Sequence, residues 1–147
     1  MDTLIKGPQV ILAFDFGARR IGVASGDTLT QTARELTTLD VSEGAFWPEI
    51  ERLVREYTPA HLVVGLPLNM DGTATALTEA CRSFASELHA RLDIPVALVD
   101  ERLSSREAEA QLRERRASGL KRRRTSRADI DMMAAKILLE QWLRKQT

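Results

Sequence analysis

A single cysteine, Cys81, excludes an internal disulfide and suits a reducing cytoplasm. With only two histidines beside it, a structural zinc site is excluded as well. No run of about 18 apolar residues occurs, so no membrane span is expected. The opening residues Met1 to Pro8 lack the charged start and long apolar core of a secretory leader. Aromatics make up only 5% of the 147 residues, and stretches rich in proline, glycine or serine that would mark a linker are missing, as are internal repeats. What is present is the composition of a soluble globule, 44% hydrophobic and 29% charged, and one domain over residues 1–147 is expected.

The formal net charge is zero, but it is unevenly spread. From Arg113 to Arg127 the chain carries eight basic residues against Glu114 alone, a local charge of +7 that leaves −7 for the remainder. Such a block is most often a solvated surface. Its concentration beside Gly119, just ahead of a helix, makes Arg122, Arg123 and Arg124 candidates for contact with nucleic-acid phosphates.

Residues 10–14 (Val-Ile-Leu-Ala-Phe) form a continuous apolar run of strand length, the pattern of a strand covered on both faces. Gly17 and Gly22 permit a tight return, and residues 21–25 read as the second strand of a hairpin. Residues 31–39 are threonine-rich with weak alternation, which suits an edge-like third strand. Ile50, Leu53, Val54 and Tyr57 then fall at helical spacing, and Pro59 ends that helix. A strand is expected at 61–65, a helix from about Ala74 to Leu92 and a strand at 95–99. Cys81 lies within the apolar stripe of that helix and reads as core rather than nucleophile. Ser104 and Glu107 form a capping box that would start a helix to about Arg116, and Thr125 or Ser126 caps a last helix to about Lys145. The order β-β-β-α-β-α-β-α-α predicts an α/β fold with one mixed sheet flanked by helices.

Three apolar strands in this scheme end in turns of the same kind, at Asp15, at Leu66-Pro67 and at Asp100-Glu101. If the first, fourth and fifth strands run parallel and adjacent, Asp15 and one of Asp100 or Glu101 emerge at the carboxyl edge, where open α/β sheets bind ligands. Spacing does not say which of the two faces Asp15. In the last helix, at about 100° per residue, Asp129 falls with Lys136, Glu140 and Arg144 on an expected solvent face, where in the first turn it reads as a helix-dipole or capping residue. Asp131 falls opposite, amid Ala134, Ala135, Leu138 and Trp142. A carboxylate on a packed face needs a partner, whether an arginine, the backbone of the first turn that it caps, or a metal ion. Asp15, Asp131 and one residue of the Asp100-Glu101 pair therefore make a candidate trio of oxygen ligands for a hard cation such as Mg²⁺ or Mn²⁺. Such ions can activate water for phosphodiester hydrolysis. Arg19, Arg20 and Arg102 are candidates for the substrate phosphates, or else ordinary surface arginines.

Four segments, Asp15 to Ala24, Val64 to Thr73, Asp100 to Ser105 and Ile130 to Leu139, resemble in order the signatures of the YqgF/RuvX family. Its members are described as pre-16S rRNA nucleases and Holliday junction resolvases with an RNase H-like fold. The resemblance runs from about Ile11 to Trp142 and implies a five-stranded mixed sheet, a cytoplasmic location and divalent-cation-dependent cleavage of structured nucleic acid during 16S rRNA maturation. It also implies that Asp15, Glu101 and Asp131 are the catalytic acids and metal ligands. Asn69 and Asp71 match the family's polar loop, and Asp71 is the residue that could fill the place of a fourth acid. The arginine-heavy 113–127 stretch departs from the shorter, mixed loop of relatives.

Pre-16S rRNA is thus the leading partner, with branched DNA as the alternative substrate and a non-catalytic ribosome-assembly factor as the alternative function. An actin-like ATPase would need a much longer chain. Oligomeric state stays open between monomer and weak dimer.

Overall fold

The computed structural model describes residues 8–42, 46–69, 71–100, 110–111, 113–114 and 126–146. Five strands form one sheet: β1 (Val10–Phe16), β2 (Arg20–Asp27), β3 (Thr32–Asp40), β4 (His61–Leu66) and β5 (Val96–Asp100). Three helices flank it: α1 (Phe46–Tyr57), α2 (Thr78–Leu92) and α3 (Arg127–Lys145). Residues 110, 111, 113 and 114 are also helical, within the span predicted from Ser104 to Arg116, and the rest of that span lies outside the described residues.

The strand order is β3-β2-β1-β4-β5, with β1 in the centre. β1 pairs antiparallel with β2 and parallel with β4, and β4 pairs parallel with β5. The first, fourth and fifth strands are therefore adjacent and codirectional, the condition under which their carboxyl ends share an edge.

The apolar run of β1 is covered from both sides, as its lack of alternation predicts. Ile11, Leu12, Ala13 and Phe14 are all fully buried. Leu12 and Phe14 join a core with Ile50 and Leu53 of α1 and Phe84 and Leu88 of α2. Ile11 and Ala13 join a second core with Ala135, Leu138, Leu139 and Leu143 of α3. Burying each large apolar side chain contributes about 1.5–3 kcal/mol, so a charge inside this run would be strongly disfavoured. The first carboxylate appears at Asp15, where burial falls to intermediate.

Two details differ from the sequence-based expectation. α2 begins at Thr78 rather than near Ala74, because the preceding residues are held otherwise. Ala74 bridges to Leu68, Thr75 N–H donates to Thr78 Oγ1 at 2.7 Å, and that hydroxyl donates to Pro67 O at 2.6 Å. Asp129 is 7% exposed rather than on a solvent face. It closes a capping box with Ser126, and Thr38 Oγ1 of β3 bonds the adjacent Ala128 carbonyl at 3.3 Å, which draws the helix start onto the sheet. Cys81 is fully buried, with Sγ 3.7 Å from Phe16 O, as a core residue should be.

Candidate active site

Strand alternation fixes the face on which Asp15 lies. Phe14 belongs to the α1/α2 side and Ala13 to the α3 side, so Asp15 turns to the α3 side. Its partner across the β1–β2 pairing is Gly22. Phe14 is level with Val64 of β4, which sets Gly65 beside Asp15 on the other flank. The carboxylate thus stands between two strand neighbours that carry no side chain.

Gly22 also explains how α3 reaches this point. A Cβ built there would collide with the carbonyl group of Asp131 and come within 3.0 Å of Met132 N. Only glycine lets the helix backbone rest directly on β2, and that contact brings Asp131 over the strand position next to Asp15. The helix start is pinned by reciprocal capping bonds of 3.1 Å, Ser126 N–H to Asp129 Oδ2 and Asp129 N–H to Ser126 Oγ. Asp15 of β1 and Asp131 of α3, 116 residues apart in sequence, are therefore brought to one face of the sheet.

Arg20, the first residue of β2, belongs to the same face. Its Nε donates to Asp131 Oδ2 at 2.7 Å, and the two side chains are 33% and 25% exposed. The arginine expected to meet phosphate and the aspartate expected to meet metal here meet each other. Arg20 also lies across the β2–β3 pairing from Asp40. Ser42 donates to Asp40 Oδ1 from its hydroxyl at 2.6 Å and from its backbone N–H at 2.9 Å. Those bonds, joined by the positive charge of Arg20, hold the Asp40 carboxyl below the usual 3.8. Arg19 is exposed on the β1–β2 turn, which is closed by Gly17 N–H bonding Arg20 O at 2.9 Å.

At β5, Val99 lies in the α3-side core, so Asp100 turns to the opposite face, the one shared by Val96 and Leu98. Glu101, Arg102, Arg122, Arg123 and Arg124 lie outside the described residues. Asn69 and Asp71 shape their own loop. Asp71 Oδ1 accepts from Thr73 N–H at 3.0 Å and Thr73 Oγ1 at 2.7 Å, and Asn69 Nδ2 donates to Thr73 Oγ1 at 2.9 Å. Gly72 adopts φ 90°, a conformation that glycine takes without strain.

Among the described residues, no group of three or more histidine, cysteine or acidic side chains is arranged to hold a metal ion. Asp15 and Asp131 nonetheless supply hard oxygen donors from two rigid elements. Mg²⁺ is commonly held by one or two carboxylates, with water and substrate phosphate completing its shell, so the donor set fits such an ion. Sequence reasoning missed Asp40, whose nearness to Arg20 depends on the β2–β3 register. The one local signal was an aspartate two residues ahead of Ser42.

A family model described as "RuvX: Holliday junction resolvase" matches residues 9–145. A protein of Pectobacterium carotovorum is 48% identical over 139 residues, covering 94% of this chain and 97% of its own length. One of Azotobacter vinelandii is 44% identical over 141 residues, covering 95% and 96%. Both bear the name "Putative pre-16S rRNA nuclease". Among solved structures, the chain is similar to Thermus thermophilus RuvC in complex with a Holliday junction substrate, with TM-score 0.61, 15% identity and coverage of 94% and 95%. It is also similar to the yeast mitochondrial Holliday junction resolvase, with TM-score 0.60, 12% identity and coverage of 92% and 78%. These two likenesses establish the RNase H-like fold.

Proposed function

The chain belongs to the RuvX family of Holliday junction resolvase-like nucleases, hydrolases of phosphodiester bonds, and from that premise we propose that it is a divalent-cation-dependent endonuclease that processes the 5′ end of pre-16S rRNA in the cytoplasm. The observation that carries the reading is the placement of Asp15 and Asp131 on one sheet face beside Gly22 and Gly65. Glu101 is the third acid of the proposal. Asp100, the other member of that pair, turns to the face opposite Asp15.

Asp15, Asp131 and Glu101 would hold Mg²⁺ or Mn²⁺. When bound there, the ion supplies Lewis-acid stabilisation of the phosphate and a lowered pKa for the attacking water. The chain's own residues do the rest. The carboxylates would hold the ion at the sheet edge, where the scissile phosphate would meet it. Arg19, Arg20, Arg102 and the Arg122-Arg123-Arg124 run neutralise flanking phosphates, while Asn69 and Asp71 present the loop after β4 to the strand being cut. Binding through so many arginines should weaken steeply with salt.

The names borne by the relatives favour RNA, whereas the description of the matching family favours branched DNA. The two readings are separated by offering the protein a pre-16S rRNA 5′ leader and a four-way DNA junction, each with and without Mn²⁺. The proposal expects Mn²⁺-dependent cleavage of the leader and a large loss in Glu101→Gln. Cleavage confined to the junction would move the substrate to DNA, and equal activity in the two proteins would remove Glu101 from the site.

A further inference from the structure

The acid face already carries a cation of its own. Arg20 Nε sits 2.7 Å from Asp131 Oδ2. Asp40 is its cross-strand partner, and Asp15 lies diagonally across the β1–β2 pairing, since Asp15 is level with Gly22 and Gly17 leads back to Arg20. Diagonal neighbours of this kind are about 7–8 Å apart, within reach of a long side chain. One guanidinium therefore bonds the carboxylate of Asp131 on α3 and has two further acids, Asp15 of β1 and Asp40 of β3, at neighbouring strand positions. Carboxylates gathered on one face repel each other unless a positive charge stands among them. Arg20 supplies that charge from a position fixed by strand register and a tight turn.

Resting on the metal-site reading above, we propose that Arg20 is the resident counter-ion of this site and competes directly with the divalent cation for Asp131. Loading of the site then requires exchange: Asp131 releases Arg20 as it takes the ion, and the freed guanidinium keeps the charge of Asp40 beside it. The coupling works in both directions. A protein whose Arg20 is held elsewhere, on Asp40 or on a substrate phosphate, presents Asp131 already open to the ion.

Mn²⁺ binding by isothermal titration calorimetry on the full chain tests the exchange without reference to cleavage. Arg20→Gln should bind Mn²⁺ about two- to fivefold more tightly than the parent, the effect of losing one partly exposed ion pair from the competing state. In the ¹⁵N-labelled parent, the Arg20 Nε–Hε signal should shift in step with Mg²⁺ saturation, a readout that holds even if Arg20→Gln fails to fold. Asp131→Asn serves as the reference that loses binding. Unchanged or weaker Mn²⁺ affinity in Arg20→Gln, or an unmoved Arg20 signal at saturating Mg²⁺, overturns the exchange while leaving the metal site standing. Failure of both the parent and Arg20→Gln to bind Mn²⁺ would overturn the metal-site reading itself, and the exchange with it.

Discussion

Gly22→Ala isolates the contact on which the geometry of the site depends. At an open strand position, alanine would be more stable than glycine by about 0.5–1 kcal/mol, because it restricts the unfolded chain. At Gly22 the added methyl would enter the peptide group of Asp131, and a backbone obstacle cannot rotate away as a side chain can. Overpacking costs about 1–3 kcal/mol, and a backbone clash falls at the upper end, so a net loss of about 2 kcal/mol is expected. Gly26→Ala is the matched control. Its methyl would meet Leu139 Cδ2 at 2.8 Å and Thr32 O at 3.0 Å, and the leucine can partly yield. There the loss should be nearer about 1 kcal/mol. Urea unfolding followed by circular dichroism measures both, with the midpoint falling and the slope unchanged. Because α3 must lift to admit the methyl, Gly22→Ala should also weaken Mn²⁺ binding, whereas Gly26→Ala should not. A Gly22→Ala protein as stable as the parent, or less affected than Gly26→Ala, would refute the close approach of α3 to β2.

Ser126→Ala removes one arm of the capping box and should cost about 1 kcal/mol, read as a drop of about 2–4 °C in Tm. The lowered Asp40 pKa has a defined sign: its stabilising contribution is present above the ordinary value of 3.8 and is lost as falling pH protonates the folded carboxylate. Ser42→Ala should therefore raise the NMR-observed Asp40 titration toward 3.8, and an unchanged midpoint would contradict the hydrogen-bond origin of the shift. Asp71→Asn retains an oxygen able to accept from Thr73 and should keep cleavage within about threefold of the parent. A loss of about 10²-fold would instead make Asp71 a fourth catalytic acid.

Local patterns placed most of the described elements, though not the start of α2. The unbroken apolar run in β1, the i, i+3, i+4, i+7 spacing in α1 and the serine cap of α3 each specify their element from a few residues. The weak alternation of residues 31–39 also has a physical basis, since the β2–β3 register shifts between Val23 and Ala24 and breaks the period of two. The helical wheel separated Asp131 from Lys136 and Glu140; Asp129 caps the helix as expected, but the wheel wrongly set it on the solvent face. A wheel gives angles, and it cannot show that a helix start is drawn onto a neighbouring strand through Thr38.

The least legible feature was the partner of Asp131. Arginine, first-turn cap and metal were all open from the sequence, and the choice of Arg20 depends on where α3 crosses β2. That crossing is set by Gly22, whose role in a tight return was visible while its role as a landing place for the helix was not. The opposite orientation of Asp100 likewise needed the phase of β5, which Val99 supplies by joining the α3-side core.

The proposed role of Asp15 as anchor of a metal-dependent cleavage site is tested by single-turnover cleavage of a labelled pre-16S rRNA 5′ leader at saturating Mn²⁺, comparing the parent with Asp15→Asn. Asp15→Asn should melt like the parent yet cleave at least about 10²-fold more slowly, with leader binding retained. An Asp15→Asn protein that cuts the leader at the parent's rate would remove Asp15 from the cleavage site.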